Sequence, residues 1–495
     1  MNLSGLLPLA PEIAAILAAS AILLLFAFWR RGGATPRLLL AGIATVGIGV
    51  LLVALPDSGS GRTLANGMLR ADLWALFFRC VAVVALFFTL FFSYPSREIS
   101  HGTHLEFVGL LLLSYAAIGL LVMSRNLILM YLSLEMLSIA SYLCVSFNRE
   151  APRSSEAGVK YAVFGSVASA LTIFGISWLY GLTGTFDYDG IRQAVLASDA
   201  RGPAVSLAFL VTAAFLLSGF LFKIAAVPLH GWAPDAYEGG PTPFVAFLSV
   251  ASKAAGFAAL IRLLVSVFLT GTGPGEWAAR IPVDFRVLLG VVAALTMSLG
   301  NLAAINQKNT KRMLAYSSIA HTGYLLMGLA TLSASGFTAV AFYFVAYLLM
   351  DLGAFFGVHL VAGRKGSEDV ETFAGLGSSN PWLAACLTVS LLSLTGLPPS
   401  VGFIGKVYLF AAVIREGGFW YIALAIVGIL NSVVSLYFYL RIVRSMYLEA
   451  AQPSAASPVP RMQLGVLAVL AALVILGGVY WSPIAALASA AVLQP

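Results

Sequence analysis

Residues 211–230 read VTAAFLLSGFLFKIAAVPLH, an apolar run that carries a lysine, Lys223, with Pro228 five residues beyond it. A helix needs about 20 apolar residues to cross the hydrocarbon of a bilayer, so the run predicts a membrane span. Proline removes a backbone donor and clashes with the preceding turn, so the span is predicted to be interrupted. A charge at the centre of such a helix costs roughly 2.5 to 3.5 kcal/mol even on the insertion scale. The same conflict recurs at Glu135 in LILMYLSLEMLSIASYLC (127–144), Lys253 in TPFVAFLSVASKAAGFAALI (242–261) and Lys406 in TGLPPSVGFIGKVYLFAAV (395–413). Three of the seven lysines thus lie inside apolar stretches, which points to an ion or proton path.

Working outward, 60% of the 495 residues are hydrophobic and only 10% charged. The mean hydropathy is +0.94. A soluble domain carries roughly 25% charge, so the chain reads as an all-α polytopic membrane protein. Fourteen spans are predicted, at about 11–29, 38–55, 72–94, 105–123, 126–147, 156–181, 205–230, 242–268, 284–303, 312–332, 335–361, 381–414, 420–446 and 462–482. The first is read as a retained helix rather than a signal peptide, because residues 1–10 hold no Lys or Arg and the pair Arg30 and Arg31 follows the apolar run. Cys80, Cys144 and Cys386 are far apart in apolar segments, which excludes a CxxC cluster and predicts no cofactor chemistry and no metal site.

Sorting the 28 basic residues over the loops sets the orientation. Fifteen fall on one side (Arg30, Arg31, Arg37, Arg97, Arg149, Arg153, Lys160, Lys308, Lys311, Arg312, Arg364, Lys365, Arg441, Arg444 and Arg461). Seven fall on the other (Arg62, Arg70, Arg125, Arg192, Arg201, Arg280 and Arg415). The positive-inside rule then places both termini outside the cytoplasm, and the net charge of +7 reads as topology rather than nucleic-acid binding. The remaining six bases, Arg79, Lys223, Lys253, Arg262, Arg286 and Lys406, lie within helices. Arg262 and Arg286 are expected to snorkel from helix ends. Arg79 is deeper and reads as one partner of a structural or inter-subunit salt bridge.

Arginine cannot release its proton, whereas a desolvated lysine can. Neutralising a lysine of ordinary pKa near 10.4 at pH 7 costs roughly 4.6 kcal/mol, and burial and a nearby carboxylate act on it in opposite directions with similar size. A lysine with a movable carboxylate partner therefore holds a proton when paired and releases it when unpaired. A static Glu135–Lys223 ion pair is the alternative. The second break is predicted from Gly396, Pro398, Pro399 and Gly402, just before Lys406, and broken helices mark transport sites.

Spacing also suggests a repeat. Glu135 precedes Lys223 by 88 positions, and His321, in RMLAYSSIAHTGYLLMG (312–328), precedes Lys406 by 85. Segments four to eight (105–268) and nine to thirteen (284–446) then form two inverted five-helix repeats, flanked by residues 1–104 and the last helix at 462–482. His321 reads as a packing residue or, in line with the lysines, a proton relay. Asp351, in YLLMDLGAFFGVHL (347–360), either stabilises charge along this line or pairs with a neighbour. His230, Asp235 and Glu238, in HGWAPDAYEGG (230–240), read as a solvated loop before a proton entrance. Gly165, Ser166, Ala168 and Ser169 are expected to let helices pack closely.

Four stretches taken together resemble a known family: residues 132–185 (LSLEMLSIASYLCVSFNREAPRSSEAGVKYAVFGSVASALTIFGISWLYGLTGT), 222–257 (FKIAAVPLHGWAPDAYEGGPTPFVAFLSVASKAAGF), 306–328 (NQKNTKRMLAYSSIAHTGYLLMG) and 393–406 (SLTGLPPSVGFIGK). They are similar to the antiporter-like membrane subunits of respiratory complex I, the proton-pumping NADH:quinone oxidoreductase. The wording SSEAGVKY and PDAYEGGP resembles the branch designated N. The resemblance covers about residues 105–446. It implies a proton-translocating membrane-arm subunit of a bacterial inner membrane, an enzyme only as part of a translocase. NADH, FMN, iron–sulfur clusters and quinone are then expected in partner subunits, with a neighbouring antiporter-like subunit, small membrane subunits and lipids around this chain. It implies that Glu135 modulates Lys223, that Lys253 and His321 relay, and that Lys406 exchanges the proton with the far side. Some members carry Glu at this last position. A subunit of a multi-subunit cation/proton antiporter and a structural spacer of the arm are the alternatives.

Overall fold

The computed structural model describes residues 7–28, 34–54, 59–94, 96–100, 102–197, 203–273, 276–279, 285–450 and 459–493. Arg30, Arg31, Arg201 and Arg280 of the sorted bases, and the side chain of Arg37, lie outside the described residues. The described chain is helical apart from loops and two short hairpins, β1 (Ser60–Leu64) with β2 (Leu69–Asp72) and β3 (Leu269–Gly273) with β4 (Glu276–Ala279). Its helices are α1 (Ala10–Phe28), α2 (Ala34–Ala54), α3 (Leu73–Ser93), α4 (His104–Met123), α5 (Leu127–Val145), α6 (Pro152–Thr183), α7 (Tyr188–Leu196), α8 (Pro203–Lys223), α9 (Trp232–Gly239) and α10 (Thr242–Phe247). Then come α11 (Lys253–Leu263), α12 (Phe285–Ile305), α13 (Thr310–Leu329), α14 (Ala334–Lys365), α15 (Leu376–Ser379), α16 (Pro381–Thr395), α17 (Val401–Glu416), α18 (Gly418–Leu448), α19 (Arg461–Val479) and α20 (Ser482–Ala491). Ten helices among the described residues are long and apolar enough to cross a membrane.

Helix starts follow from capping side chains. Asp72, Asn126, Asn309, Ser333 and Ser400 accept from backbone N–H groups in the first turns of α3, α5, α13, α14 and α17. The segment predicted at 205–230 is helical only as far as Lys223, and the next helix starts beyond it at Trp232; the segment predicted at 381–414 is two helices, stopping at Thr395 and resuming at Val401. Gly396 ends α16 with φ +89°, a left-handed conformation that glycine adopts without penalty.

Burial orders the helices from inside to outside. In the continuous run Thr242–Phe268 every residue of the most apolar window is buried, against 28% in α18 and 33% in α6. Lys253 therefore lies at the centre, while α6 and α18 present apolar side chains outward. Within that central run, π turns at Leu248–Ser252 and Leu264–Phe268 interrupt the α-helical ladder, the first ending at Lys253.

Two expectations are overturned here. Arg262 does not snorkel: it is 2% exposed and grips Asp72 with both guanidinium ends, at 2.7 and 2.6 Å, while donating to Val122 O at 2.8 Å. Buried guanidinium needs a fork-matching carboxylate, and the cap of α3 supplies it. Lys311, sorted as a loop residue, is 2% exposed at the start of α13, between Glu368 at 2.8 Å and Gly240 O at 2.9 Å.

Candidate functional site

The first break leaves backbone groups without helical partners, and side chains take them up. Trp232 Nε1 donates to Phe222 O at 2.9 Å, Thr322 Oγ1 to Ile224 O at 2.8 Å, and Val227 N to Thr296 Oγ1 at 3.1 Å. An unpaired backbone group at this depth costs several kcal/mol, so the break is built in. Lys223, 1% exposed, donates to Ser138 Oγ at 3.2 Å. Ser138 lies one turn beyond Glu135 on α5. Glu135 itself is half-buried, and among the described residues it forms no ion pair within 4.0 Å, so the static Glu135–Lys223 contact pair is not what the structure holds. Gly256 lets α11 close on the chain just past Lys223, since a Cβ there would stand 2.9 Å from Ile224 Cγ2.

At the centre, Lys253 donates to Ser318 Oγ at 2.6 Å, Ser318 O at 2.9 Å and Thr322 Oγ1 at 3.2 Å. Because Thr322 also holds Ile224 O, the neighbour of Lys223, the central lysine is tied to the first break through one hydroxyl. Tyr347 donates to Ser318 Oγ at 2.8 Å. Asp351 accepts from Ser249 in the π turn and lies close enough to Lys253 for their charges to interact. Asp351 thus stands near Lys253 without forming an ion pair within 4.0 Å among the described residues.

His321 follows one turn after Ser318 and is 3% exposed. Its Nδ1 is 2.7 Å from Tyr343 OH and its Nε2 3.3 Å from Tyr439 OH. A neutral imidazole donates from one nitrogen and accepts at the other, so either tautomer satisfies both tyrosines. Tyr439 is bonded in turn to Ser317. The His321 ring centroid is 5.2 Å from that of Tyr347, which joins His321 to the Lys253 cluster.

Lys406, 4% exposed, donates to Thr395 O at 2.6 Å, the carbonyl freed by the second break, and to Ser432 Oγ at 2.8 Å. Its ammonium stands 4.8 Å from the ring centroid of Tyr324, one turn beyond His321. Four of the five sequence-selected residues, Lys223, Lys253, His321 and Lys406, therefore lie on one buried polar file in that order, and half-buried Glu135 stands one turn from Ser138 at its Lys223 end. The hydroxyls that connect them, Ser138, Ser318, Thr322, Tyr343, Tyr347 and Tyr439, escaped the sequence reading. A serine or tyrosine in an apolar run carries no cost signal like that of a charge.

Away from this file several charges are paired. Arg79 binds Glu12 of α1 through Nε at 2.8 Å and Nη2 at 2.7 Å, an ion pair inside this chain with both side chains buried. Asp235 pairs with Arg312 at 2.5 Å and Lys160 at 3.0 Å, and Glu238 with Arg312 at 2.9 Å, so these two acids are neither free entrance groups nor merely solvated. A surface cavity of about 420 Å³ opens beside them, walled by Glu98, Lys311, His359 and Glu368. Burial opposes the charge of Glu98, but Lys311, His359 and the Thr242 N–H outweigh it and hold its carboxyl well below the usual range.

Residues 124–432, from α5 through both breaks, match the family described as NADH:quinone oxidoreductase/Mrp antiporter, TM. Over 496 aligned residues the chain is 40% identical to NADH-quinone oxidoreductase subunit N 2 of Sorangium cellulosum, covering 98% of this chain and 96% of that protein. It is 40% identical to NAD(P)H-quinone oxidoreductase subunit 2 of Prochlorococcus marinus, covering 91% and 82%. A chain of respiratory complex I from Thermus thermophilus superposes with TM-score 0.78 at 28% identity over 97% of this chain and 99% of that one. A chain of the Mrp complex from Dietzia sp. shares the fold with TM-score 0.83 at 20% identity over 99% and 97%. On the matched residues and the full-length identity together, the chain belongs to the NADH:quinone oxidoreductase/Mrp antiporter transmembrane family.

Proposed function

We propose that the chain is a proton-translocating membrane-arm subunit of an NADH:quinone oxidoreductase, driven by electron transfer in other subunits. The single observation that carries this reading is the buried file from Ser138 and Lys223 through Thr322, Lys253 and Ser318 to His321 and then Lys406. Four basic groups at membrane depth have no structural need to share one line. The naming of full-length relatives as NADH-quinone oxidoreductase subunits favours this over a cation/proton antiporter subunit, whose support is likeness of fold at 20% identity.

In this reading Glu135 sets the charge of Lys223 from one turn before Ser138. When the carboxylate is near, the ammonium keeps its proton; when it swings away, desolvation expels the proton toward Thr322 and Lys253. Lys253, with Asp351 as counter-charge, and His321 pass it on, and Lys406 exchanges it with the far side. Moving one charge against 100 mV takes about 2.3 kcal/mol, which the change in the Glu135–Lys223 interaction must match. Residues 105–268 and 284–446 act as inverted five-helix units, with residues 1–104 and 462–482 flanking them in a fourteen-span subunit of a bacterial inner membrane, both termini outside the cytoplasm. NADH, FMN, iron–sulfur and quinone chemistry belongs to partner subunits, and a neighbouring antiporter-like subunit and small membrane subunits adjoin this chain.

The test is Lys223→Met in the assembled complex reconstituted into vesicles. Protons pumped per quinone reduced are expected to fall while uncoupled quinone reduction persists. Undiminished pumping would rule the reading out.

A further inference from the structure

Beside Lys406 lies a pair of buried amides that the proton file does not use. Asn301 on α12 is 0% exposed and Asn431 on α18 is 8% exposed. Asn301 Nδ2 donates to Met297 O at 3.0 Å and Asn431 Oδ1 at 3.2 Å, and reaches Tyr324 OH at 3.5 Å. Asn431 Nδ2 donates to Val427 O at 2.9 Å and Ser298 Oγ at 3.2 Å. These acceptors fix which end of each amide is which, since turning Asn301 over would set its oxygen against the Met297 carbonyl.

Two features separate the pair from simple helix glue. Asn301 Oδ1 has no hydrogen-bond partner among the described residues, though it is fully buried. Leaving an amide oxygen without a donor costs about 1–3 kcal/mol, so a clasp made only for packing would satisfy it or dispense with it. The pair also touches both flexible supports of the Lys406 ammonium. Asn301 reaches the hydroxyl of Tyr324, whose ring lies 4.8 Å from Nζ, and Asn431 immediately precedes Ser432, whose hydroxyl accepts from Nζ at 2.8 Å.

We propose that Asn301 and Asn431 are positioning residues for Lys406: the amide pair clasps α12 to α18 so that Tyr324 and Ser432 hold the ammonium against Thr395 O. The proposal rests on Lys406 as the terminal proton site. Asn301 thereby acts on proton transfer through Tyr324 and Ser432 without touching the lysine.

The experiment uses the whole complex in vesicles, measuring protons per quinone reduced and the pH dependence of pumping, with Lys406→Ala as reference. Asn301→Leu is expected to assemble, to keep uncoupled quinone reduction near that of the parent, and to show at least half of the Lys406→Ala pumping deficit. Asn301→Asp keeps the size and places a carboxylate one tyrosine away from the ammonium, so the pH dependence of pumping moves upward by about one pH unit. A clasp that merely packs would show that Coulombic shift but no pumping deficit in Asn301→Leu. If Lys406→Ala pumps poorly but Asn301→Asp keeps the parent's pH profile, the positioning role is overturned and the terminal role of Lys406 stands, whether or not Asn301→Leu assembles. If Lys406→Ala pumps fully, the terminal role itself falls.

Discussion

Lys223 is the last residue of its helix before the first break, and its ammonium finds one hydroxyl, Ser138 at 3.2 Å. Lys406 sits in the second turn after the second break, and its ammonium takes Thr395 O at 2.6 Å, Ser432 Oγ at 2.8 Å and the face of Tyr324. In the first half the freed carbonyls go to Trp232 and Thr322, and the lysine is left nearly unsatisfied. In the second the lysine itself closes the break. A buried donor with one long partner responds to any charge that approaches, whereas one with three contacts stays where it is. On the proposed function, the switch then falls to Lys223 near Glu135, and Lys406 is the fixed end.

The largest contrast is expected from replacing each lysine by methionine. Both variants should lose this subunit's share of pumping. Only Lys406→Met should also lower the thermal midpoint of the purified complex, by the equivalent of about 1–3 kcal/mol, because Thr395 O loses its closest donor. Lys223→Met exchanges a poorly satisfied buried charge for an apolar chain, a change that is often neutral or stabilising. Equal destabilisation by the two would break the comparison.

Gly396→Ala comes next. The left-handed backbone costs a non-glycine residue roughly 1–2 kcal/mol, and a Cβ at 396 would stand 2.7 Å from Lys406 Cδ. The substitution should therefore lower both stability and pumping, because it moves the lysine as well as straining the turn. Loss of stability with intact pumping would show that Lys406 tolerates displacement, which contradicts a fixed terminus.

The serine partners give a smaller and opposite pairing. Ser138→Ala removes the one hydroxyl that Lys223 has, while Ser432→Ala leaves Lys406 with Thr395 O. Pumping rates should fall further in the first than in the second, with a difference corresponding to about 1 kcal/mol. Equal rates would mean that Ser138 does not carry the influence of Glu135 to Lys223.

Much of this layout was legible in the sequence because charge in an apolar run is costly and proline or glycine beside it is unambiguous. Lys223, Lys253 and Lys406 stood out on that ground, and both breaks fall where Pro228 and Gly396 to Pro399 placed them. Arg262 misled, because snorkelling and burial look the same in sequence until the partner is known, and that partner, Asp72, lies 190 positions away. Glu12 escaped for the same reason: it reads as a polar residue near a chain end until α1 packs it on Arg79. The first hairpin was readable in principle from Asn66-Gly67, where both residues take positive φ. The connecting hydroxyls were not readable, since their role depends on which helices face one another.

The smallest effect separates the two breaks by backbone alone. Ala225, just past Lys223, has φ +56°, so the first break carries a β-carbon in the conformation that the second gives to Gly396. Ala225→Gly relieves a left-handed strain of roughly 1–2 kcal/mol but adds backbone freedom to the unfolded chain, worth about 0.4–1 kcal/mol in the other direction. The net gain in stability should be below about 1 kcal/mol, opposite in sign to Gly396→Ala. The strain at Ala225 persists only if neighbours hold it there, and Thr322 on Ile224 O and Thr296 on Val227 N flank it on both sides. If Ala225→Gly leaves stability slightly raised yet slows pumping, the rigid β-carbon serves to aim Lys223 at Ser138; unchanged pumping would mean that the two threonines aim it unaided.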